Sequence, residues 1–454
     1  TVEMQEKRRR SQQVVHDDHM TISDGVHDLA GQFGPDFVWG VSTASYQIEG
    51  AVDEDGRGTS VWDTFCAREG TILNGDTGDV ACDHYHRFLD DVHLMSELGV
   101  DAYRFSIAWP RIQPDGVTVE PRGLDFYDRL VDALLDKGIQ PSPTLLHWDS
   151  PEALEATGGW QNRTIADRFA EYAHVVSERL GDRVTRWMTL NETVVFTLLG
   201  HGIGEHAPGK ALGFGALDVA WNQLLAHGKA VQALRANGIE TIGIANNHAP
   251  IWPVGGRQED ADAARLFDLI YNKVFLDPIL LGTWPLAGLF DPEVARDGDL
   301  EIISQPIDFL GVNHYNPQGI SAAPEGAELP FDILDVPAEK HNDFGWPIVP
   351  EGFTELLVGL KNDYGDKLPP IYITENGGAF NETPDADGRI RDQRRIEYTH
   401  DHLLAIKAAM DQGVDVRGYF HWSLMDNFEW AEGYSQRFGL VYVDYETQKR
   451  IPKD

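Results

Sequence analysis

The sequence predicts an α/β fold, a single (β/α)8 barrel of the TIM type, on three observations. Eight short runs rich in β-forming residues alternate with longer amphipathic runs. Six of the eight end in polar or aromatic side chains that make poor core. No low-complexity linker cuts the 454 residues in two, and barrels of this kind are long single domains.

Residues 1–33 read as an N-terminal extension outside the barrel core, a solvated tail with the short basic run Lys7-Arg8-Arg9-Arg10 and little apolar periodicity. The barrel is expected over 34–454. Its strands are expected at 37–42, 102–109, 143–147, 186–190, 241–246, 309–313, 371–374 and 417–422. Between them, residues 86–98 place Phe88, Val92, Met95 and Leu98 on one helical stripe. The same period recurs in 123–137, 165–180, 217–236, 352–363 and 394–412. Strands separated by helices must run parallel, because a parallel pair needs a crossover. Eight of them close a barrel, whose chemistry sits at the C-terminal ends of the strands. There the chain offers Gln47, His147-Trp148, Asn191-Glu192, Asn313-His314-Tyr315, Glu375-Asn376 and Trp422, the lining of a pocket.

The composition narrows the function classes. Formal net charge is −36, from 73 Asp plus Glu against 37 Lys plus Arg. Such a field repels nucleic acid and anionic membranes, so neither is expected as a partner. A salt-rich habitat accounts for the charge as readily as a merely acidic protein does. Only the first requires stability to rise between low and molar salt. No apolar run is long enough to span a bilayer, no stretch has signal-peptide order, and Cys66 and Cys82 are too few for a disulfide framework. Reduced thiols and a cytoplasmic location are expected. The sequence leaves homo-oligomer formation open.

The segment Ile373-Thr374-Glu375-Asn376-Gly377 reads as a buried strand ending in a carboxylate and a turn, and Thr189-Leu190-Asn191-Glu192 presents a second carboxylate in the same way. One such Glu is ordinarily a solvated strand end. Two, facing one cleft, are the usual machinery for hydrolysing glycosidic bonds. Asp83-His84-Tyr85-His86 has metal-ligand residue types but no partner cluster, and glycine-rich 202–209 lacks the Lys-Ser/Thr of a phosphate loop. Neither metal nor cofactor is expected.

Seven motifs, in order, carry a resemblance. They are FVWGVSTASYQIEG at 37–50, YRFSIAWP at 103–110, LHWDSP at 146–151, TLNE at 189–192, GVNHY at 311–315, ITENG at 373–377 and FHWSLMDNFEWAEGYSQRFG at 420–439. The chain resembles the family 1 glycoside hydrolases, the β-glucosidase family, from about residue 33 onward. The resemblance implies a retaining β-glycosidase, a β-glucosidase first of all, acting through a covalent glycosyl-enzyme. Glu375 is then the nucleophile and Glu192 the acid/base, with Arg104, Asn313 and Tyr315 as catalytic support. Gln47, His147, Trp148, Asn191, Trp346, Trp422, Glu429, Trp430 and Phe438 are the implied sugar-binding residues, with Trp422 under the ring and Trp346 facing the leaving-group sugar. Amides, imidazole and carboxylate suit a hexose, whose hydroxyls both donate and accept. The implied substrates are small β-glycosides and short oligosaccharides such as cellobiose.

Relatives acting on 6-phosphorylated sugars usually carry Ser where Glu429 stands, so unphosphorylated sugars are expected. Retention further requires the two carboxyl groups about 5–5.5 Å apart. The sequence departs from the family pattern at Ser150 and His314, where Leu and Tyr are common, and it stops at Asp454, before the last helix usual in the family. An outer ring lacking that helix is therefore expected. The same residues also suit a transglycosylating enzyme with the same intermediate, or a catalytically impaired sugar-binding barrel.

Overall fold

A computed structural model describes residues 29–327 and 329–454. The run Lys7-Arg8-Arg9-Arg10 and most of the expected extension lie outside these residues. The described residues fall into two units, 29–37 and 38–454. In the first, the rings of Phe33 and Phe37 pack at 4.7 Å.

The second unit is built on eight parallel strands: β1 (Val38–Ser42), β2 (Ala102–Ser106), β3 (Gln140–Leu146), β4 (Arg186–Asn191), β5 (Thr241–Asn247), β6 (Phe309–Asn313), β7 (Ile371–Asn376) and β8 (Val416–Trp422). Each pairs with its neighbours in sequence, and β1 pairs with β8 to close the barrel. The long helices are α1 (His84–Leu98), α2 (Pro121–Asp136), α3 (Ile165–Leu180), α4 (Ala216–Ala236), α5 (Gln258–Tyr271), α6 (Pro350–Tyr364) and α7 (Gln393–Asp411). Met188, Ala245 and Phe309 pack inside the barrel with Tyr372 against them.

Three strands differ instructively from their expected bounds. β2 stops at Ser106 rather than 109, because Trp109-Pro110 opens a short helix, Trp109–Ile112, where proline's missing N–H costs nothing. Arg104 stands at the middle of β2, in a run that is buried throughout. β3 begins at Gln140 despite Pro141 and Pro143. It pairs with β2 along its whole start but with β4 only at Thr144 and Leu146, so neither proline interrupts a ladder. β7 runs on through Asn376, with irregular register on both sides, which makes Glu375 a residue of the strand.

Two excursions stand above the C-terminal end of the barrel. Strands Ile251–Pro253, Gln318–Ala322 and Phe331–Leu334 form a small sheet packed on α5. After β8 come a single turn, Trp430–Glu432, and an antiparallel hairpin, Val441–Asp444 with Lys449–Pro452. Cys66 and Cys82 are free and buried. Among the described residues no helix is long and apolar enough to cross a membrane, and no group of three His, Cys, Asp or Glu is placed to hold a metal ion. His84, from the metal-like quartet, instead pairs with Asp91, which also meets Arg450.

Candidate active site

A pocket of about 630 Å³ opens at the C-terminal ends of the strands. Ten of the fourteen expected site residues line it: His147, Trp148, Glu192, Tyr315, Trp346, Glu375, Trp422, Glu429, Trp430 and Phe438. The other four, Gln47, Arg104, Asn191 and Asn313, are buried directly behind these and hold them.

Glu375 takes its place from the bulged end of β7, and the chain after it passes very close to β8. A Cβ added at Gly377 would lie 1.9 Å from the Trp422 carbonyl oxygen, so the glycine of the motif is a packing requirement. The Glu375 carboxylate accepts from Arg104 Nη1 at 2.6 Å and from the Tyr315 hydroxyl at 2.7 Å. Burial pushes its pKa up, while Arg104, Tyr315 and Asn313 pull it back toward the ionised form.

Glu192 follows β4 directly, in a left-handed conformation (φ 45°). Trp148 and Trp430 also line the pocket at positive φ (73° and 46°), so three of the strained non-glycine positions fall in one site. Glu192 accepts from Asn313 Nδ2 at 2.9 Å and Asn247 Nδ2 at 3.2 Å. Burial, and then the charge of Glu375, push its pKa up to about 8. The two carboxyl groups thus sit in contrasted surroundings: one faces a guanidinium, the other only amides.

Asn191 fixes a tautomer. Its Oδ1 accepts from Arg104 Nη2 at 2.5 Å and Asn313 Nδ2 at 3.0 Å, so its Nδ2 must donate to His147 Nε2, 2.9 Å away. His147 accepts on Nε2, and its proton resides on Nδ1. Burial and Arg104 hold the ring well below the usual histidine range, hence neutral. His147 Nδ1, Gln47 Oε1 and Glu429 Oε2 are all buried and have no hydrogen-bond partner among the described residues. A donor, an acceptor and a carboxylate oxygen left unpaired in one cluster suit a ligand rich in hydroxyls. Burial, then Glu375 and Glu192, push Glu429 up to about 8.

Aromatic rings form the walls. Trp148 and Trp430 meet at 4.6 Å, and His147 stacks against Trp422 and Trp430 at 5.8 Å. On the opposite side Trp346 packs with Phe344 at 4.3 Å and Phe438 at 5.8 Å. Asn247, the last residue of β5, was not anticipated. Its Oδ1 accepts from the Tyr271 hydroxyl at 2.9 Å, which turns its Nδ2 toward Glu192. The signal was the polar run Asn246-Asn247-His248 closing the fifth strand.

The sequence profile of Glycosyl hydrolase family 1 matches residues 29–454. The chain belongs to that family. It is similar to beta-glucosidase A of Thermotoga maritima, 48% identical over 432 residues, 93% of this chain and 96% of the relative. It is also similar to 1,4-beta-D-glucan glucohydrolase of Thermotoga neapolitana, 46% identical with the same coverage. The solved family 1 β-glucosidase of Thermotoga maritima superposes with a TM-score of 0.89 at 47% identity, over 93% of this chain and 96% of that one. The chain is accordingly an O-glycosyl hydrolase of a retaining family, on the (β/α)8 barrel of that family.

Proposed function

We propose that this glycosyl hydrolase removes terminal, non-reducing β-D-glucosyl residues by double displacement, with Glu375 as nucleophile and Glu192 as acid/base. In the first step a Glu375 oxygen attacks the anomeric carbon and Glu192 gives its proton to the departing glycosidic oxygen. In the second, Glu192, now ionised, takes a proton from water as that water displaces Glu375, which regains its charge. The first step needs Glu192 protonated while Glu375 is ionised. Once Glu375 is esterified its charge no longer raises the pKa of Glu192, and the acid becomes a base.

The observation that carries this reading is the contrast between the pair. Arg104 and Tyr315 bind Glu375, and Glu192 is held near pKa 8 beside it. His147, Gln47 and Glu429, with their unpaired atoms, are proposed to bind the sugar hydroxyls, with Asn191 at the 2-hydroxyl. Trp422 is proposed to lie under the ring, with Trp148 and Trp430 beside it, and Trp346 and Phe438 toward the leaving group. Small unphosphorylated β-glucosides, cellobiose among them, are the proposed substrates. A cytoplasmic location fits the two free thiols.

Nitrophenol release from p-nitrophenyl β-glucoside tests the reading. The parent should turn over, Glu375→Ala should lose several orders of magnitude, and azide should partly rescue it with a product of inverted configuration. A folded parent that cleaves no gluco-, galacto- or fucoside would instead be a sugar-binding barrel.

A further inference from the structure

The pocket changes character along its depth. Its floor is polar, built from the carboxylates, His147 and Asn247, with the buried amides behind them. Its mouth is apolar. Ile203, Leu329, Ile333 and Leu334 all line it although they are 52%, 36%, 59% and 43% exposed. Large aliphatic side chains scattered singly over a surface need no explanation, but four gathered on one rim do. They arrive from different parts of the chain. Ile203 follows the π-helical stretch Phe196–Gly202 after β4. Ile333 and Leu334 end the edge strand Phe331–Leu334 of the small sheet after β6. Phe214, stacked on Phe290 at 4.6 Å, adds an aromatic face. The charges at this level are Glu205, Asp335 and Glu432, with no Lys or Arg among the lining residues.

We infer that the mouth selects the leaving group, and that this enzyme favours β-glucosides of uncharged alkyl or aryl alcohols over those of a second sugar. The inference rests on the glucosidase reading above and adds the substrate class. A hexosyl leaving group would press its hydroxyls against Ile333 and Leu334, which offer them no partner, whereas an alkyl chain there leaves water. Anionic leaving groups would meet three carboxylates. Because every substrate yields the same glucosyl-enzyme, the second step is common to all, and leaving-group contacts show in kcat/KM.

The test is glucose release by the purified chain from methyl, butyl and hexyl β-D-glucoside and from cellobiose. The three alkoxide leaving groups differ little in chemistry, so their ratios report binding. Expected is a rise in kcat/KM of about two- to fourfold per methylene that leaves water, with hexyl glucoside above cellobiose. The double variant Ile333→Asn, Leu334→Asn should lower the hexyl-to-methyl ratio at least about fivefold, while Leu404→Asn, an equally exposed leucine on α7, should not. A flat series, cellobiose above hexyl glucoside, or an unmoved ratio in the double variant would each overturn the inference and leave the glucosidase reading standing. Failure to release glucose from any β-glucoside, the nitrophenyl one included, would overturn both.

Discussion

Arg104 Nη1 lies 2.6 Å from Glu375 Oε1, and both side chains are almost completely buried. The same guanidinium also reaches Asn191 Oδ1, so one cation on β2 supports the proposed nucleophile and orients the amide that sets the His147 tautomer. Removing one partner of a buried ion pair leaves the other uncompensated, at a cost of about 3–5 kcal/mol. Glu375 would escape much of that cost by holding a proton. Arg104→Met should therefore lower kcat/KM by about 10²–10³, the scale of losing one preorganised electrostatic partner, and move the acidic limb of the pH profile upward. An acidic limb that stays in place would show that Arg104 does not keep Glu375 ionised.

The barrel was legible because its signals are local. Eight strand runs and six helical periods are read from spacing alone, and the strand ends announce the pocket. The second strand reads on to Trp109 because the apolar run continues there; only Pro110 and the turn it opens end the strand earlier. The small sheet was not legible because its strands are only three to five residues long, and helix α5 packs mainly on those strands. Asn247 was missed because its role depends on Tyr271, 24 residues away, and on which way an amide is turned. The apolar mouth could not be seen at all: Ile203 and Ile333 come to line one pocket only through the fold.

Glu192 has a stability consequence opposite in sign to that of an ordinary salt-bridged carboxylate. Its pKa is raised in the folded protein, to about 8 from 4.5. Between those values the folded state binds more protons than the unfolded one, so stability falls as pH rises through the window. Any favourable contribution is present in full below pH 4.5 and is lost as pH passes 8. Glu192→Gln has no charge to bury, so it should be more stable than the parent by about 1–2 kcal/mol at pH 8 and by less at pH 5. Denaturant unfolding at the two pH values measures this, and a gain that did not depend on pH would refute it. The same pKa predicts that kcat/KM of the parent declines above about pH 8.

Asn247 tunes that decline. Its amide donates to Glu192 Oε1, a bond that favours the ionised carboxylate. In Asn247→Ala the ionised form loses a donor, so the alkaline limb of kcat/KM should move to higher pH. The loss in activity should be about tenfold at neutral pH, where Glu192 stays protonated. A merely structural asparagine would lower kcat/KM without displacing the limb.

Asp426 anchors the loop that carries Glu429 and Trp430. It is fully buried and holds Arg437 Nη1 at 2.7 Å, Lys453 Nζ at 2.8 Å and the Gly439 amide at 3.0 Å. Lys453 belongs to the segment just after the hairpin, and burial lowers its pKa to about 8 even against this partner. One carboxylate thus ties two cations and a backbone donor to the segment between β8 and the hairpin. Asp426→Ala would leave both cations buried without their counter-charge and should cost about 3–5 kcal/mol in denaturant unfolding. Lys453→Met removes one cation but leaves Arg437 and Gly439 to satisfy Asp426, and should cost less. Because the loop presents Glu429 to the pocket, residual activity of a folded Lys453→Met protein should show a raised KM for glucosides with kcat little changed, the signature of weakened uniform binding. An unchanged KM would mean that the loop keeps its shape without this tie.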